Sequence, residues 1–312
     1  MSVFRIPEGI CDDLTNLVRN FWWGSENGRR KVAWVAWEQL IQKKCCGGLG
    51  FKDTSLFNQA LLARQAWRLI QFPDSLCARL LKAKYYPQGS LIDTAFRSNA
   101  SVTWQAVLHG LDLLKKGVIW RIGCGSQVRI WRDPWIPRNY TQKVTSERGR
   151  CRLHWVSDLL VSDGTDWDRD RLIAYFNPAD IEAILRIKLP SRRCDDFIAW
   201  HKEKNGIFSV RSAYNLALQL RHVGTISSTS IGSVEGERKL WQNVWSGHIP
   251  PKVKIFSWKP SQDVLPTRKN KHRRMLEDDN ICNICGNGIE DSFHAVILCP
   301  QARALRQAMR EH

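Results

Sequence analysis

The chain of 312 residues carries 47 Lys and Arg against 30 Asp and Glu, which gives a formal net charge of +17. Its hydrophobic fraction of 43% is ordinary for a folded protein, and this length allows two or three domains with a buried core. No apolar run approaches the roughly 20 residues that span a bilayer, and no secretory signal is visible at the N-terminus. We therefore expect a chain that neither spans a membrane nor is secreted.

The first part of the chain predicts a helical scaffold. Apolar side chains recur at helical spacing over residues 55–72, 74–86 and 103–116, which predicts three helices. A proline follows each of the first two, and Gly117 follows the third. The glycine-rich stretch at 47–50 is not followed by Lys and Ser or Thr, so it indicates a turn rather than a phosphate-binding loop.

The spacing of apolar residues changes after Gly117. Val118–Ile122 and Val128–Trp131 flank a Gly-Cys-Gly-Ser turn, which predicts a β-hairpin over 118–131. Short helices are predicted near 158–160 and 179–185. A short strand at 207–210 is predicted to lead into a helix over 211–220.

Composition predicts where the chain divides. Residues 222–236 are rich in Ser, Gly and Thr, which favours a flexible linker over 222–238. The predicted division is then a helical region over 1–145, a mixed connector over 146–221, the linker, and a small module over 239–312. The predicted fold class is mainly α with short β-hairpins, an α+β arrangement in which a helical scaffold precedes the small module.

The charge, the cysteines and the tryptophans each suggest a class of protein. Excess positive charge attracts polyanions without specifying a fold, so nucleic acid is the favoured partner; an anionic membrane surface or simple solubility are the alternatives. The ten cysteines are mostly scattered singly, which favours a reducing compartment over a disulfide framework. The 15 tryptophans are either core residues or anchors of an interface.

The sharpest chemical signal lies in the C-terminal module. Cys282 and Cys285 are spaced Cys-x2-Cys, and His294 and Cys299 are spaced His-x4-Cys. Three sulfurs and one imidazole in a tetrahedral set are typical of structural zinc. Because four protein ligands leave no position open for water, we expect Zn²⁺ to stabilise the fold rather than to catalyse. The alternative is four unrelated side chains that never converge.

A basic run lies beside these four residues. Eight cations and interleaved apolar side chains, among them Phe256 and Trp258, occupy residues 251–274 with a single acid, Asp263. The predicted nucleic-acid-binding residues are Lys252, Lys254, Lys259, Arg268, Lys269, Lys271, Arg273 and Arg274. Cations for phosphates beside aromatic rings for bases suit RNA or single-stranded DNA. The alternative is a helix whose aromatic side chains are buried and whose cations are only solvated.

Together these motifs resemble the C-terminal region of plant LINE-type non-LTR retrotransposon reverse transcriptases, including the zinc-binding domain of that family. In the C-terminal part the matching stretches are Phe208–Tyr214, Ile249–Trp258, Leu265–Arg268 and the four Cys and His positions. Upstream they are Phe21–Gly24, Gly47–Phe51, Asn58–Ala63, Gln65–Arg68 and Val128–Trp135. Pro260 departs from the family pattern, in which a helix usually continues, and is expected to kink or end that helix.

The resemblance implies a binding role. It implies a family domain that begins near residue 207, a structural Zn²⁺, and RNA or single-stranded DNA as a partner, together with the polymerase part of the same element. It also implies residence in the nucleus, with the cytoplasm as the alternative. The expected function is that of a non-catalytic C-terminal part of an RNA-directed DNA polymerase. The alternatives are a protein-interaction scaffold or an inert pseudogene product.

No catalytic residues are predicted. Polymerisation by two metal ions requires converging carboxylates, which reverse transcriptases place in an aromatic-x-Asp-Asp turn. The chain has Asp-Asp pairs at 12–13, 195–196 and 278–279, and none has an aromatic residue two positions before it. We therefore expect no polymerase, endonuclease or ribonuclease H site in this chain.

Overall fold

A computed structural model describes residues 1–26, 29–94, 96, 100–138, 141–161, 164–190, 192, 194–223 and 234–311. Contacts within the chain divide it into two compact units. Unit 1 comprises Met1–Pro7 and Ser55–Ile226, and unit 2 comprises Glu8–Thr54 and Ser227–His312. Unit 2 thus groups residues 8–54 with the C-terminal module. The predicted division instead placed residues 1–145 together in one region.

Helices dominate the described residues. They are α1 (Glu8–Trp23), α2 (Trp37–Leu40), α3 (Thr54–Gln71), α4 (Leu76–Tyr85), α5 (Val102–Leu114), α6 (Arg169–Tyr175), α7 (Pro178–Leu185), α8 (Val210–Val223), α9 (Val234–Ser246), α10 (Pro251–Ser261), α11 (Arg268–His272) and α12 (Pro300–Ala308). The strands are β1 (Ser25–Glu26), β2 (Arg29–Arg30), β3 (Val118–Arg121) and β4 (Phe197–Trp200). The predicted class, mainly α with short strands, is confirmed. In the described ranges no helix combines the length and apolar character needed to cross a membrane.

The three helices predicted in the scaffold are confirmed as α3, α4 and α5, each within two residues of its predicted ends. Side-chain caps fix two of the starts, because Ser75 Oγ accepts from the Ala78 N–H and Ser101 Oγ accepts from the Trp104 N–H. Helix α1 was not predicted. Cys11 is its one fully buried residue among those described, and its apolar side chains are largely exposed, with Phe21 at 89%.

Unit 1 has two buried clusters. The first packs α3, α5 and α8 around Trp104 and Trp200, and the Trp200 indole donates to Ser212 Oγ at 2.8 Å. The second surrounds Trp135 and Trp167, whose rings stack 5.9 Å apart. The interpretation of the tryptophans as core residues holds for eight of the fifteen, which are buried; six are half-buried, and Trp155 is 38% exposed.

The predicted hairpin over 118–131 is wrong. Strand β3 forms, but it pairs antiparallel with β4, with Val118 opposite Trp200 and Arg121 opposite Phe197. Residues 128–131 instead run beside residues 154–155, where Arg129 bridges to Trp155.

The reason lies in the turn between the two predicted strands. The buried Asp196 carboxylate accepts hydrogen bonds from the backbone N–H groups of Gly123 at 2.7 Å, Gly125 at 2.9 Å and Gln127 at 2.9 Å. These donors wrap around a side chain that is distant in sequence, so the turn cannot close a two-stranded ladder. Asp196 directly precedes β4 and thereby places that strand beside β3.

The predicted strand at 207–210 is also wrong. Ser209 Oγ accepts from the Ser212 N–H at 3.1 Å, so Ser209 caps α8, which begins at Val210. The predicted helix over 211–220 is confirmed within α8. Residues 224–233 of the linker predicted over 222–238 lie outside the described residues. The prediction is wrong at both ends, because residues 222–223 belong to α8 and residues 234–238 belong to α9.

Unit 2 is organised around the glycine-rich turn predicted at 47–50. A 3-10 turn at Lys44–Cys46 ends at Gly47, whose φ of +82° favours glycine. The Gly47 carbonyl accepts from the Trp258 indole at 2.7 Å and from Gln262 Nε2 at 2.9 Å. Trp258 is fully buried, so α10 is fixed through its inner face. Pro260 lies in the last turn of α10, which ends at Ser261, as expected.

Replacing Asp196→Ala tests the cause of the β3–β4 pairing. Three backbone donors would lose their acceptor, so we expect a loss of about 3 kcal/mol of unfolding free energy. Hydrogen exchange should also accelerate in residues 118–127. Urea unfolding and peptide-resolved exchange measure both, and Asp195→Ala, at an exposed neighbour, is the matched control. Unchanged exchange in Asp196→Ala would contradict this account of the turn.

Candidate metal centre and adjoining basic surface

The structure brings together all four predicted metal ligands. The sulfurs of Cys282, Cys285 and Cys299 and a ring nitrogen of His294 all lie within 4.8 Å of one another. Cys285 Sγ is 3.4 Å from His294 Nε2. Within the described parts of the chain no other group of three or more His, Cys, Asp or Glu side chains converges in this way.

The first two ligands lie on a tight knuckle of backbone. Ile281 and Ile289 form an antiparallel bridge, and the Gly286 N–H donates to the Cys282 carbonyl at 2.8 Å. Gly286 and Gly288 have φ values of +69° and +83°, which a side chain would oppose. The Asn287 N–H points at Cys285 Sγ at 3.4 Å. The Cys-x2-Cys spacing therefore works as predicted, since one turn aims both sulfurs at the same point.

The other two ligands lie at the two ends of one helical turn. Asp291 Oδ1 accepts from the His294 N–H at 2.7 Å and so caps the π-helical turn His294–Leu298. The Cys299 N–H donates to the His294 carbonyl at 2.8 Å, and Cys299 is the residue before α12. Cys299 thus presents its sulfur at a helix N-terminus, where exposed N–H groups favour a thiolate.

The donor set fits a tetrahedral zinc ion. Zn–S bonds of about 2.3 Å and Zn–N bonds of about 2.0 Å would place neighbouring ligand atoms about 3.5–3.8 Å apart. Cys285 Sγ and His294 Nε2 are already at 3.4 Å, and the whole set lies within 4.8 Å. Burial raises the pKa of Cys282, so its thiolate needs a compensating cation. The Ala302 N–H lowers the pKa of Cys299, opposing the effect of burial there. Both sulfur-bearing residues are 1% exposed.

Comparison with known proteins identifies this part of the chain. Residues 208–305 match the family described as zinc-binding in reverse transcriptase, close to the predicted start near 207. The chain belongs to the plant retroelement reverse-transcriptase proteins. The matched segment contains all four converging ligands, so it is called the zinc-binding domain below.

Two relatives from Arabidopsis thaliana extend the match. One is named "Putative ribonuclease H protein" and is 29% identical over 309 residues, which is 96% of this chain and 48% of the relative. The other is named an uncharacterized mitochondrial protein and is 42% identical over 137 residues, which is 44% of this chain and 89% of the relative. The chain therefore spans about half the length of the first relative.

Within the zinc-binding domain, helix α11 connects the segments that carry the ligands to the end of α10. Arg268 forms an ion pair with Asp279 at 2.7 Å, and Lys269 Nζ lies 3.7 Å from Asp291, which caps the turn of His294. The buried Asn270 Nδ2 donates to the carbonyls of Asp263 at 2.7 Å and Leu265 at 3.0 Å. These contacts support the ligands indirectly by fixing the segments that carry them.

Asp263 is a supporting residue that the sequence did not reveal. Its carboxylate accepts from the Ser292 N–H at 3.0 Å and lies 3.4 Å from Lys269 Nζ. Burial opposes ionisation of Asp263, but hydrogen bonding from Ser292 and the nearby Lys269 ammonium outweigh it and lower its pKa. The sequence shows Asp263 only as the one acid among cations, because Ser292, which donates to it, lies 29 positions away.

The eight predicted nucleic-acid-binding cations divide into two groups. Five have partners within unit 2. Arg268, Lys269 and Lys271 form ion pairs, Lys254 Nζ donates to the Trp245 carbonyl at 2.9 Å, and Arg274 lies over the Trp34 ring. Lys252, Lys259 and Arg273 have no such partner among the described residues. The basic run is therefore partly a structural network and partly a free surface.

The outer face of α10 combines two of these cations with an aromatic ring. Lys252, Phe256 and Lys259 are spaced i, i+4 and i+7, which places them on one face of a helix. Phe256 is 50% exposed, whereas Trp258 is fully buried. The sequence left two roles open for these aromatic residues, burial in the core and contact with bases. Trp258 is a core residue, and Phe256 remains available to a partner.

Proposed function

We propose that this chain is a non-catalytic, zinc-stabilised nucleic-acid-binding part of a LINE-type retroelement RNA-directed DNA polymerase. The observation that carries the proposal is the convergence of Cys282, Cys285, His294 and Cys299 within 4.8 Å, inside a family domain described as zinc-binding in reverse transcriptase. The full element would copy RNA into DNA, and this part would hold the RNA template or the DNA target. It would act in the nucleus, with the cytoplasm as the alternative.

The zinc ion would act as a structural tie. The segment from Met275 to Met309 leaves ten large apolar side chains exposed, so apolar burial contributes little to its order. Four protein ligands complete the coordination of Zn²⁺, which leaves no position for a catalytic water. When bound, the ion supplies folding free energy by joining the knuckle of Cys282 and Cys285 to the turn of His294 and Cys299.

The outer face of α10 is the proposed contact for nucleic acid. Lys252 and Lys259 lie about 10 Å apart along the helix axis, far enough to contact separate phosphates. Phe256 between them offers a ring on which an unpaired base can stack. A base must leave its duplex to reach such a ring, so this face favours RNA or DNA in single-stranded form.

A protein-interaction scaffold is the second candidate function, and α1 favours it. Ile10, Leu14, Leu17 and Phe21 repeat at spacings of four, three and four residues and are 51%, 40%, 63% and 89% exposed. An exposed apolar stripe of this kind marks a contact with another protein segment. The polymerase part of the same element is the partner that we propose for it. The two functions are compatible, because they use different faces.

Zinc binding is tested by native mass spectrometry of the full chain. We expect one zinc ion per chain and a lower melting temperature after treatment with a chelator. Cys282→Ser should weaken zinc binding by more than about 100-fold, because even residues that only support a ligand contribute about 10- to 100-fold. Cys77→Ser, at an exposed cysteine of unit 1, is the control. Metal-free protein with unchanged stability in Cys282→Ser would rule out the zinc tie.

Nucleic-acid binding is tested by titrating the zinc-loaded chain with a single-stranded oligonucleotide at several salt concentrations. Replacing Lys252→Gln and Lys259→Gln together should reduce the slope of log K against log salt by about 1.4, which corresponds to two lost phosphate contacts. Phe256→Ala should weaken binding by roughly 5- to 100-fold.

The matched control removes two exposed cations, Arg303 of α12 and Arg310 just after it, through Arg303→Gln and Arg310→Gln. This variant should keep the affinity for the oligonucleotide and lose at most part of the salt dependence. Equal losses in both variants would mean that charge alone drives binding. An absence of binding at low salt would favour the scaffold function.

A further inference from the structure

A cavity in unit 1 has the character of an anion-binding site. It has a volume of about 420 Å³, a size within the range of small-ligand sites. The end of α5, strand β3 and the segments around Arg132 and Lys143 form its walls. It lies in a different compact unit from the zinc ligands and the outer face of α10.

Three exposed lysines line this cavity. Lys115 and Lys116 follow α5, and Lys143 comes from a loop that is distant in sequence. None of the three has an ion-pair partner among the residues that the structure describes. The cavity also contains Asp93 and Asp133, but both carboxylates pair with Arg132. The three lysines therefore line the cavity without a paired carboxylate among the described residues.

An apolar wall completes the cavity. Trp120 of β3 and Ile198 of β4 line it, and they are cross-strand partners whose side chains share one face of the sheet. Trp120 is half-buried, and its backbone N–H is held by the Pro134 carbonyl at 2.7 Å, which fixes the strand. A flat apolar surface beside three cations suits a ligand with a planar base and a phosphate.

The favourable placement of cations at a helix C-terminus explains only part of this arrangement. Lys115 and Lys116 lie at the C-terminus of α5, where cations are favourable in any helix. That effect does not account for Lys143, which lies on another segment and lines the same cavity. Ion pairing does not account for them either, since Asp93 and Asp133 pair with Arg132 and with none of the three lysines.

We propose that this cavity binds a nucleotide, with the three lysines at the phosphates and the apolar wall at the base. The ligand is either a free nucleoside triphosphate or one nucleotide of a bound strand. The site is independent of the proposed binding at the outer face of α10, because it lies in the other unit and uses none of the same residues.

The test uses calorimetric titration of the zinc-loaded full chain carrying Lys252→Gln, Lys259→Gln and Phe256→Ala, so that the outer face of α10 does not contribute. The probes are ATP, inorganic triphosphate and a short oligothymidylate. Adding Lys115→Gln, Lys116→Gln and Lys143→Gln should weaken ATP binding at least tenfold. Removing three exposed lysines of unit 1 outside the cavity, with Lys84→Gln, Lys188→Gln and Lys204→Gln, should not.

The probes separate the two sources of the ligand. Tighter binding of ATP than of inorganic triphosphate supports a site that also receives the base. Displacement of ATP by oligothymidylate assigns the cavity to a strand, and its failure assigns it to a free nucleotide. Equal affinity in the cavity variant and the control variant would overturn the proposal, as would a chain that binds none of the three probes. Urea midpoints of both variants verify that each remains folded.

Discussion

The convergence of four ligand atoms at one point is the constraint on which the C-terminal structure depends. The knuckle that carries Cys282 and Cys285 and the turn that carries His294 and Cys299 are each short, and much of their apolar surface faces solvent. Backbone bonds such as that of Gly286 to Cys282 close each piece locally. They do not join the pieces. We propose that a cation between the ligands supplies that connection. Burial raises the pKa of Cys282, so its thiolate forms readily only where a cation compensates the charge.

Five of the eight cations in the basic run make contacts within unit 2, so the run is in large part a structural network. Arg268 and Lys269 of α11 pair with acids that flank the ligands, so they fix the orientation of the segments around the ligands. Such exposed or half-exposed pairs contribute little free energy individually, but they hold α11 between α10 and the knuckle. The cations left for phosphates are Lys252, Lys259 and Arg273. A net charge of +17 therefore overstates the charge that any one surface offers.

The features that could be predicted from the sequence are those that depend on the spacing of nearby residues. The ligand set follows from two short intervals, and α3, α4 and α5 follow from apolar periodicity and capping residues. The pairing of β3 with β4 could not be predicted, because Asp196 organises the turn at 123–127 from about seventy positions away. The same limit applies to the cations. Whether Lys269 is free or paired depends on Asp263 and Asp291, whose positions are set only by the tertiary fold.

X-ray absorption at the zinc edge of the purified full chain tests the central claim most directly, because it reports the atoms bound to the ion. The structure predicts a four-coordinate shell of three sulfurs at about 2.3 Å and one nitrogen at about 2.0 Å. A shell of oxygen and nitrogen atoms with one sulfur or none would contradict the account, since it would mean that Cys282, Cys285 and Cys299 do not hold the metal together.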